Sequence, residues 1–192
     1  MNCICYPKLG QLGRTGNAFF QAAATIGAAL KHGAAPILSP WEHQHRIHAP
    51  GMFKSAVPAA DAVHKEPRFQ YAPIPYGGGV LHLEGYFQSW KYFEGQFPLI
   101  RSLLNPLEVG AKRPGVCGIG VRRTDYLWTS DYHPPLPWSF YEAAMGWMRE
   151  RGVSKFLVMS DDVPWCKEHF DPVECDIYDP VHPVVDIGAF YT

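Results

Sequence analysis

Two adjacent arginines, Arg122 and Arg123, followed by Thr124 and Asp125, end the apolar run Val116-Cys-Gly-Ile-Gly-Val121. The run reads as a buried strand, with glycines where something packs close to it. Guanidinium forks match phosphate oxygens, so an anionic ligand is one explanation of the pair. Structural ion pairs are the other, since adjacent cations are costly to bury without partners. The local pattern leaves both open. A second polar burst, Ser160-Asp161-Asp162, ends the apolar segment Lys155-Phe-Leu-Val-Met159. Open α/β sheets bind ligands at the carboxyl ends of their strands. There, guanidinium would hold phosphate, and carboxylates would accept hydrogen bonds from a base or a sugar.

The elements that must position these residues are legible. Between the two bursts lie a Pro-rich loop, Tyr126 to Pro137, containing Asp131 and His133, and a helix. Ser139 with Glu142 forms a capping box. Tyr141, Ala144, Met145 and Met148 line one helix face, and Gly152 ends it. A strand–helix–strand unit of this kind makes the two strands parallel. Asp162 caps a short helix from Pro164 to Phe170, and Asp176 to Asp179 begins a further strand.

The amino-terminal part also reads as strand, turn and helix, without an internal sequence repeat. Cys3 to Tyr6 reads as a strand, followed by Gly10, Gly13 and Gly16 in a tight turn. A helix follows, with Phe19, Ala23, Ile26 and Leu30 on one face, Asn17 as N-cap and Gly33 as stop. Such a turn gathers backbone N–H groups at one point, where they can hold an anion or a sugar hydroxyl, although the dinucleotide G-x-G-x-x-G fingerprint is absent. Ala34 to Leu38 reads as a second strand, 39–79 as irregular and Pro-punctuated, and Val80 to Glu84 as a third strand. The aromatic stretch Gly85-Tyr-Phe-Gln88-Ser-Trp-Lys-Tyr-Phe93 is either a sugar-stacking surface or core packing. Phe97 to Leu104 reads as a short helix. Residues 105–114 form the best domain boundary.

The bulk numbers exclude several classes. The 192 residues carry a net charge of −1, so no global basic field exists for nucleic acid. Five cysteines, an odd number without C-x-x-C spacing, point to a reducing compartment, hence a cytoplasmic protein, rather than a disulfide framework or zinc site. His43, His45 and His48 lack a recognised ligand spacing and read as a solvated loop rather than a metal site. No apolar run approaches the roughly 18 residues of a membrane span. Residues 18–30 read as a core helix, not a secretory signal, because Gln21 interrupts the run.

Four blocks then carry a family resemblance. Gly13-Arg-Thr-Gly-Asn17-Ala-Phe-Phe-Gln21 resembles the Gly-Arg-Leu-Gly-Asn-Gln-Met-Phe-Gln opening of the glycosyltransferase family 11 α-1,2-fucosyltransferases. Leu83-Glu-Gly-Tyr-Phe-Gln-Ser-Trp-Lys-Tyr-Phe93 is similar to that family's Gly-Tyr-Phe-Gln-Ser-x-Lys-Tyr-Phe block. Gly118-Ile-Gly-Val-Arg-Arg-Thr-Asp-Tyr126 resembles the His-x-Arg-Arg-x-Asp-Tyr block shared with other fucosyltransferases. Phe156 to Lys167 resembles the Ser-Asp-Asp-x-x-Trp-Cys-Lys block. Three departures are visible. Gly120 stands where the family has His, Thr124 where it has Gly, and no Asn-Ser-Thr-Phe-Ser-Trp-Trp block precedes Thr192.

The resemblance implies an α/β fold of GT-B type with two Rossmann-like lobes of parallel sheet: 1–108 on the acceptor side and a short or incomplete GDP-sugar lobe, 109–192. It implies GDP-β-L-fucose as donor, a galactoside hydroxyl as acceptor, and inverting transfer without metal or other cofactor. Arg122 would grip the donor pyrophosphate, where loss of GDP develops charge that a fixed arginine stabilises most in the transition state. Arg123 and Asp125 would hold the loop or the nucleotide, and Ser160, Asp161 and Asp162 would face guanosine or support that pocket. Gly16, Asn17 and Gln88 would face the cleft from the acceptor lobe. Asp131, with Asp125 second, is the expected base. The alternative is a truncated homologue that binds GDP-sugar or glycan without turnover. The partners expected are therefore a GDP-sugar and a glycan; the oligomeric state is not specified.

Overall fold

The computed structural model of the chain describes residues 1–103 and 113–178. The chain divides into two compact units, Met1–Pro106 and Leu107–Thr192. Both are α/β, with parallel sheets.

In the first unit, strand β1 (Cys3–Tyr6), helix α1 (Thr15–Lys31) and strand β2 (Ala35–Leu38) form a strand–helix–strand unit. Strands β3 (Ala62–Lys65) and β4 (Val80–Glu84) complete a sheet of order β2-β1-β4-β3. Every pairing is parallel, so all four carboxyl ends lie on one edge. Helix α2 (Phe97–Leu103) follows. Strand β3 was not expected from the sequence. It is a mostly exposed edge strand without an apolar run, ordered by pairing with β4 rather than by its own pattern.

Residues 18–30 lie within α1, as expected, but of the face read from the apolar spacing only Ala23 and Ile26 are buried, while Phe19 is half-buried and Leu30 is exposed at the last turn. Ala18, Ala22, Ala23, Ile26 and Ala29 are buried, and the small alanines let the helix approach the sheet closely. Burying Ile26 alone contributes about 1.5–3 kcal/mol. Asn17 does not cap this helix: the N-cap is Arg14, without a side-chain cap bond, and Asn17 lies in the first turn. Gly33 follows the helix at φ +64, as its expected stop role requires. A Cβ at Gly27 would lie 2.7 Å from both Phe93 Cβ and the Tyr92 carbonyl oxygen. Since backbone cannot yield as a flexible side chain does, Gly27→Ala is expected to cost about 1–3 kcal/mol. A lower urea midpoint at unchanged slope would show it.

The second unit contains strand β5 (Val116–Val121), helix α3 (Trp138–Arg149), strand β6 (Lys155–Ser160), helix α4 (Val163–His169) and strand β7 (Cys175–Tyr178). The order is β5-β6-β7, all parallel. Two expectations are corrected here. Strand β5 is an edge strand among the described residues, and only Val121 in it is fully buried. The Ser139 capping box does not form, because the helix begins at Trp138 with Pro137 as N-cap and no side-chain cap bond. Tyr141 and Met145 do face the core, while Ala144 is exposed. Most of the expected boundary segment, and Asp179 onward, lie outside the described residues.

Arg149 Nε donates to Glu174 Oε2 at 2.9 Å, and its Nη2 donates to Oε1. This pairing holds the Glu174 carboxyl below its ordinary 4.5. A depressed carboxyl contributes stability that is present above its unfolded pKa and lost as pH falls through the folded one. Glu174→Gln should therefore cost stability at neutral pH, within about 1 kcal/mol for so exposed a pair. Urea titrations at falling pH should show that difference shrink below 4.5.

Candidate functional site

The second unit gathers its charged motif residues at the carboxyl edge of its sheet. Val121 pairs with Ser160 in register, so the residues that follow each strand emerge side by side. Arg122 Nε donates to Asp125 Oδ1 at 2.9 Å and its Nη2 to Asp125 Oδ2 at 2.6 Å, a bidentate pair. Arg122 Nε also lies 3.1 Å from Asp161 Oδ2. The Asp125 hydrogen bond raises the Arg122 pKa above its ordinary value, so the guanidinium remains cationic.

Arg123 is held differently. Its backbone N–H donates to Asp161 Oδ1 at 2.9 Å, its Nε donates to Asp162 Oδ2 at 3.2 Å, and its guanidinium carbon sits 4.2 Å from the Trp165 ring centroid. The Arg123 side chain is 17% exposed against 36% for Arg122, which makes Arg122 the guanidinium more open to solvent. Arg123 is clamped between a carboxylate and an indole.

The two aspartates beyond β6 organise the loop. Asp161 takes the Arg123 N–H, the Thr124 hydroxyl at 2.7 Å and the Arg122 pair on its two oxygens. Asp162 caps α4, accepting from Trp165 N at 3.2 Å, as its sequence position predicts. The Asp162 N–H donates to the Ser160 hydroxyl at 2.8 Å. Thus Thr124, a departure from the family pattern, ties its own loop to β6. Downstream, the loop turns on itself through Leu127 N to Arg123 O at 2.8 Å and Thr129 Oγ1 to Asp125 O at 3.0 Å. Tyr126 stacks on His133, and Trp128 projects into solvent. Asp131 is exposed on this loop and makes no side-chain hydrogen bond or ion pair among the described residues.

The first unit has its own constellation, also at the carboxyl edge. Gly13, at φ +80, leaves space that a Cβ would take 2.0 Å from Asn17 Nδ2. Gln88 Nε2 donates to Asn17 Oδ1, so two candidate residues 71 positions apart meet. Gly16 is exposed beside them in the first turn of α1. The Gly85 carbonyl accepts from the Tyr6 hydroxyl at 2.6 Å and from Gln21 Nε2 at 3.3 Å. Burial pushes the Tyr6 phenol up to about 12, so it stays a neutral donor. The aromatic stretch resolves mainly as core: Phe87, Tyr92 and Phe93 are buried, while Trp90 is exposed.

Two contributors went unread in the sequence. Gln21, which interrupts an apolar run and closes the first family-like block without an assigned role, is a buried tie between the Leu12 and Gly85 carbonyls. Glu66 lies in a segment read as irregular, and it accepts from Tyr86 N and Phe87 N, each at 2.8 Å. No local signal marks a carboxylate whose partners are backbone groups about 20 residues away. Away from both constellations, His45 and His48 line a cavity of about 390 Å³ with Gln44, Ile47, Pro50 and Phe53.

Set beside known proteins, residues 96–182 match the family described as Glycosyl transferase family 11. Galactoside 2-alpha-L-fucosyltransferase SEC1 of Bos taurus is 26% identical over 200 residues, covering 86% of this chain and 52% of that protein. Galactoside alpha-(1,2)-fucosyltransferase 2 of Hylobates lar is 26% identical, covering 88% and 57%. Galactoside alpha-(1,2)-fucosyltransferase 1 of Gorilla gorilla gorilla is 28% identical, covering 86% and 53%. The chain spans about half the length of these curated relatives. No solved structure matches it.

Proposed function

We propose, from the premise that this chain belongs to glycosyl transferase family 11 through its residues 96–182, that it transfers L-fucose from GDP-β-L-fucose to the 2-hydroxyl of a galactoside. The observation that carries this reading is Arg122, a solvent-accessible, permanently charged fork at a strand's carboxyl end, braced by Asp161 and by the neighbouring Arg123 clamp. In this reading Arg122 exchanges its Asp125 partner for pyrophosphate oxygens. The acceptor oxygen attacks the fucose anomeric carbon from the face opposite GDP, so the configuration inverts. The bond from that carbon to the β-phosphate oxygen breaks, and GDP leaves with the electron pair. Arg122 balances the charge gathering on the β-phosphate without a metal.

The acceptor proton passes to a carboxylate. Asp131 suits this better than Asp125, because Asp125 is already committed to Arg122. Ser160, Asp161 and Asp162 support the nucleotide side, while Gly16, Asn17 and Gln88 serve the acceptor. The GT-B assignment belongs to the same proposal, each unit having its own parallel sheet. A cytoplasmic setting fits the five free thiols.

A second reading, GDP-sugar binding without turnover, is favoured by one observation: the Arg122 fork is already filled by Asp125. GDP release from GDP-β-L-fucose, measured with and without a β-galactoside, separates the two. Galactoside-dependent release with a fucosylated product supports the transferase. GDP binding without release supports the second reading, and absence of both overturns each.

A further inference from the structure

Helical and strand cores explain most buried contacts of the first unit, but not the conformation of the loop after β4. Phe87 has φ +53 and is fully buried, a backbone state that non-glycine residues rarely adopt. Such strain persists only where surrounding contacts over-determine it, and it clusters at functional positions. The Gly85 carbonyl is held by Tyr6 and Gln21 and the Phe87 ring packs on Tyr6 and Tyr92, but the N–H groups of the strained segment go to one carboxylate. Glu66 Oε2 accepts from the N–H groups of Tyr86 and Phe87, both at 2.8 Å, while its Oε1 accepts from the Tyr92 hydroxyl at 3.3 Å. The fit allows no alternative side chain at Gly85, because a Cβ there would lie 2.4 Å from Glu66 Cβ. The next residue out of the loop is Gln88, whose amide donates to Asn17. Tyr86, whose N–H the carboxylate holds, stacks on the exposed Phe69 at 6.2 Å and 28°. The carboxylate thus holds the backbone between the Tyr86 ring, whose face suits sugar C–H groups, and Gln88, whose amide pair suits sugar hydroxyls.

We propose that Glu66 is a positioning residue for the galactoside acceptor: its carboxylate locks the 85–92 loop so that the Gln88–Asn17 pair and the Tyr86 ring are set for the sugar. This rests on the acceptor role given above to Asn17 and Gln88. Glu66 itself does not touch the sugar.

Amide hydrogen exchange and steady-state kinetics on the full chain test it together. Glu66→Ala should speed exchange at Tyr86 and Phe87 by about tenfold or more, as expected for losing charge-assisted bonds, while β1 and β4 amides keep their protection. It should raise the KM for a β-galactoside about tenfold and leave the KM for GDP-β-L-fucose unchanged. Glu66→Gln, whose carbonyl oxygen can accept the same two N–H groups, should restore both. Unchanged exchange in Glu66→Ala, an equal rise in both KM values, or a loss confined to kcat overturns the proposal. If Glu66→Ala loses protection throughout the sheet, Glu66→Asp, which keeps the charge but shortens the reach, carries the same expectations and the same overturning outcomes. A wild-type chain that turns over no galactoside overturns the acceptor reading instead, and exchange at Tyr86 and Phe87 then decides the loop lock by itself.

Discussion

Arg122→Ala should lower galactoside-dependent GDP release by about 10²-fold or more, the scale of removing one preorganised charge-stabilising donor. The expectation follows from geometry. Arg122 is the more exposed of the two arginines, and its fork already accommodates a carboxylate in bidentate fashion, the arrangement a phosphate can replace. Arg122→Lys keeps the charge and loses the fork, so it should recover only part of the rate. The fold should survive, because half-exposed ion pairs contribute little, about 1 kcal/mol or less. Isothermal titration with GDP and a urea unfolding curve separate the effects. Donor affinity should collapse while the unfolding midpoint barely moves. Wild-type GDP affinity and release in Arg122→Ala would remove the pyrophosphate role from this residue.

Asp161→Ala should affect both stability and donor binding. Two donors converge on its carboxylate, the Arg123 N–H and the Thr124 hydroxyl, and the Arg122 guanidinium pairs with it as an ion. Truncation leaves the Arg123 N–H and the Thr124 hydroxyl without this acceptor and loosens the Arg-Arg-Thr-Asp loop from β6, with the Arg123–Asp162 pair as the remaining tie. Losing hydrogen bonds to a charged, largely buried acceptor costs about 1.5–3 kcal/mol. Donor affinity should fall as well, since Arg122 loses one of its two braces. Asp161→Asn separates the contributions. It retains one acceptor oxygen and the shape, so it should recover much of the stability while leaving Arg122 with a neutral neighbour. An Asp161→Ala chain as stable as wild type would show that this clasp is not what orders the loop.

The readings that failed share a physical cause. Asn17 and Ser139 have the right residue types for helix caps, but chain packing set the helix starts at Thr15 and Trp138. Strand β3 carries no apolar run, since only its pairing with β4 orders it. The β5 run looks buried by composition, yet it occupies a sheet edge, and strand order is not written in local sequence. The aromatic stretch after β4 was ambiguous for the same reason: alternating rings and polar groups do not reveal which rings face the core.

By itself, the sequence determined the local events. Apolar spacing defined α1 and strands β1, β2, β4, β5 and β6, since periodicity acts over a few residues. It also placed the polar bursts after β5 and β6, and with them Arg122, Arg123, Asp161 and Asp162. Only the tertiary structure decided the pairings. It set Arg122 against Asp125 and Asp161, and Arg123 between Asp162 and Trp165. It also brought Gln88 to Asn17 and placed Glu66 under the intervening loop. A hydrogen bond depends on a few ångströms and a direction, and over tens of residues only the packed sheet supplies both.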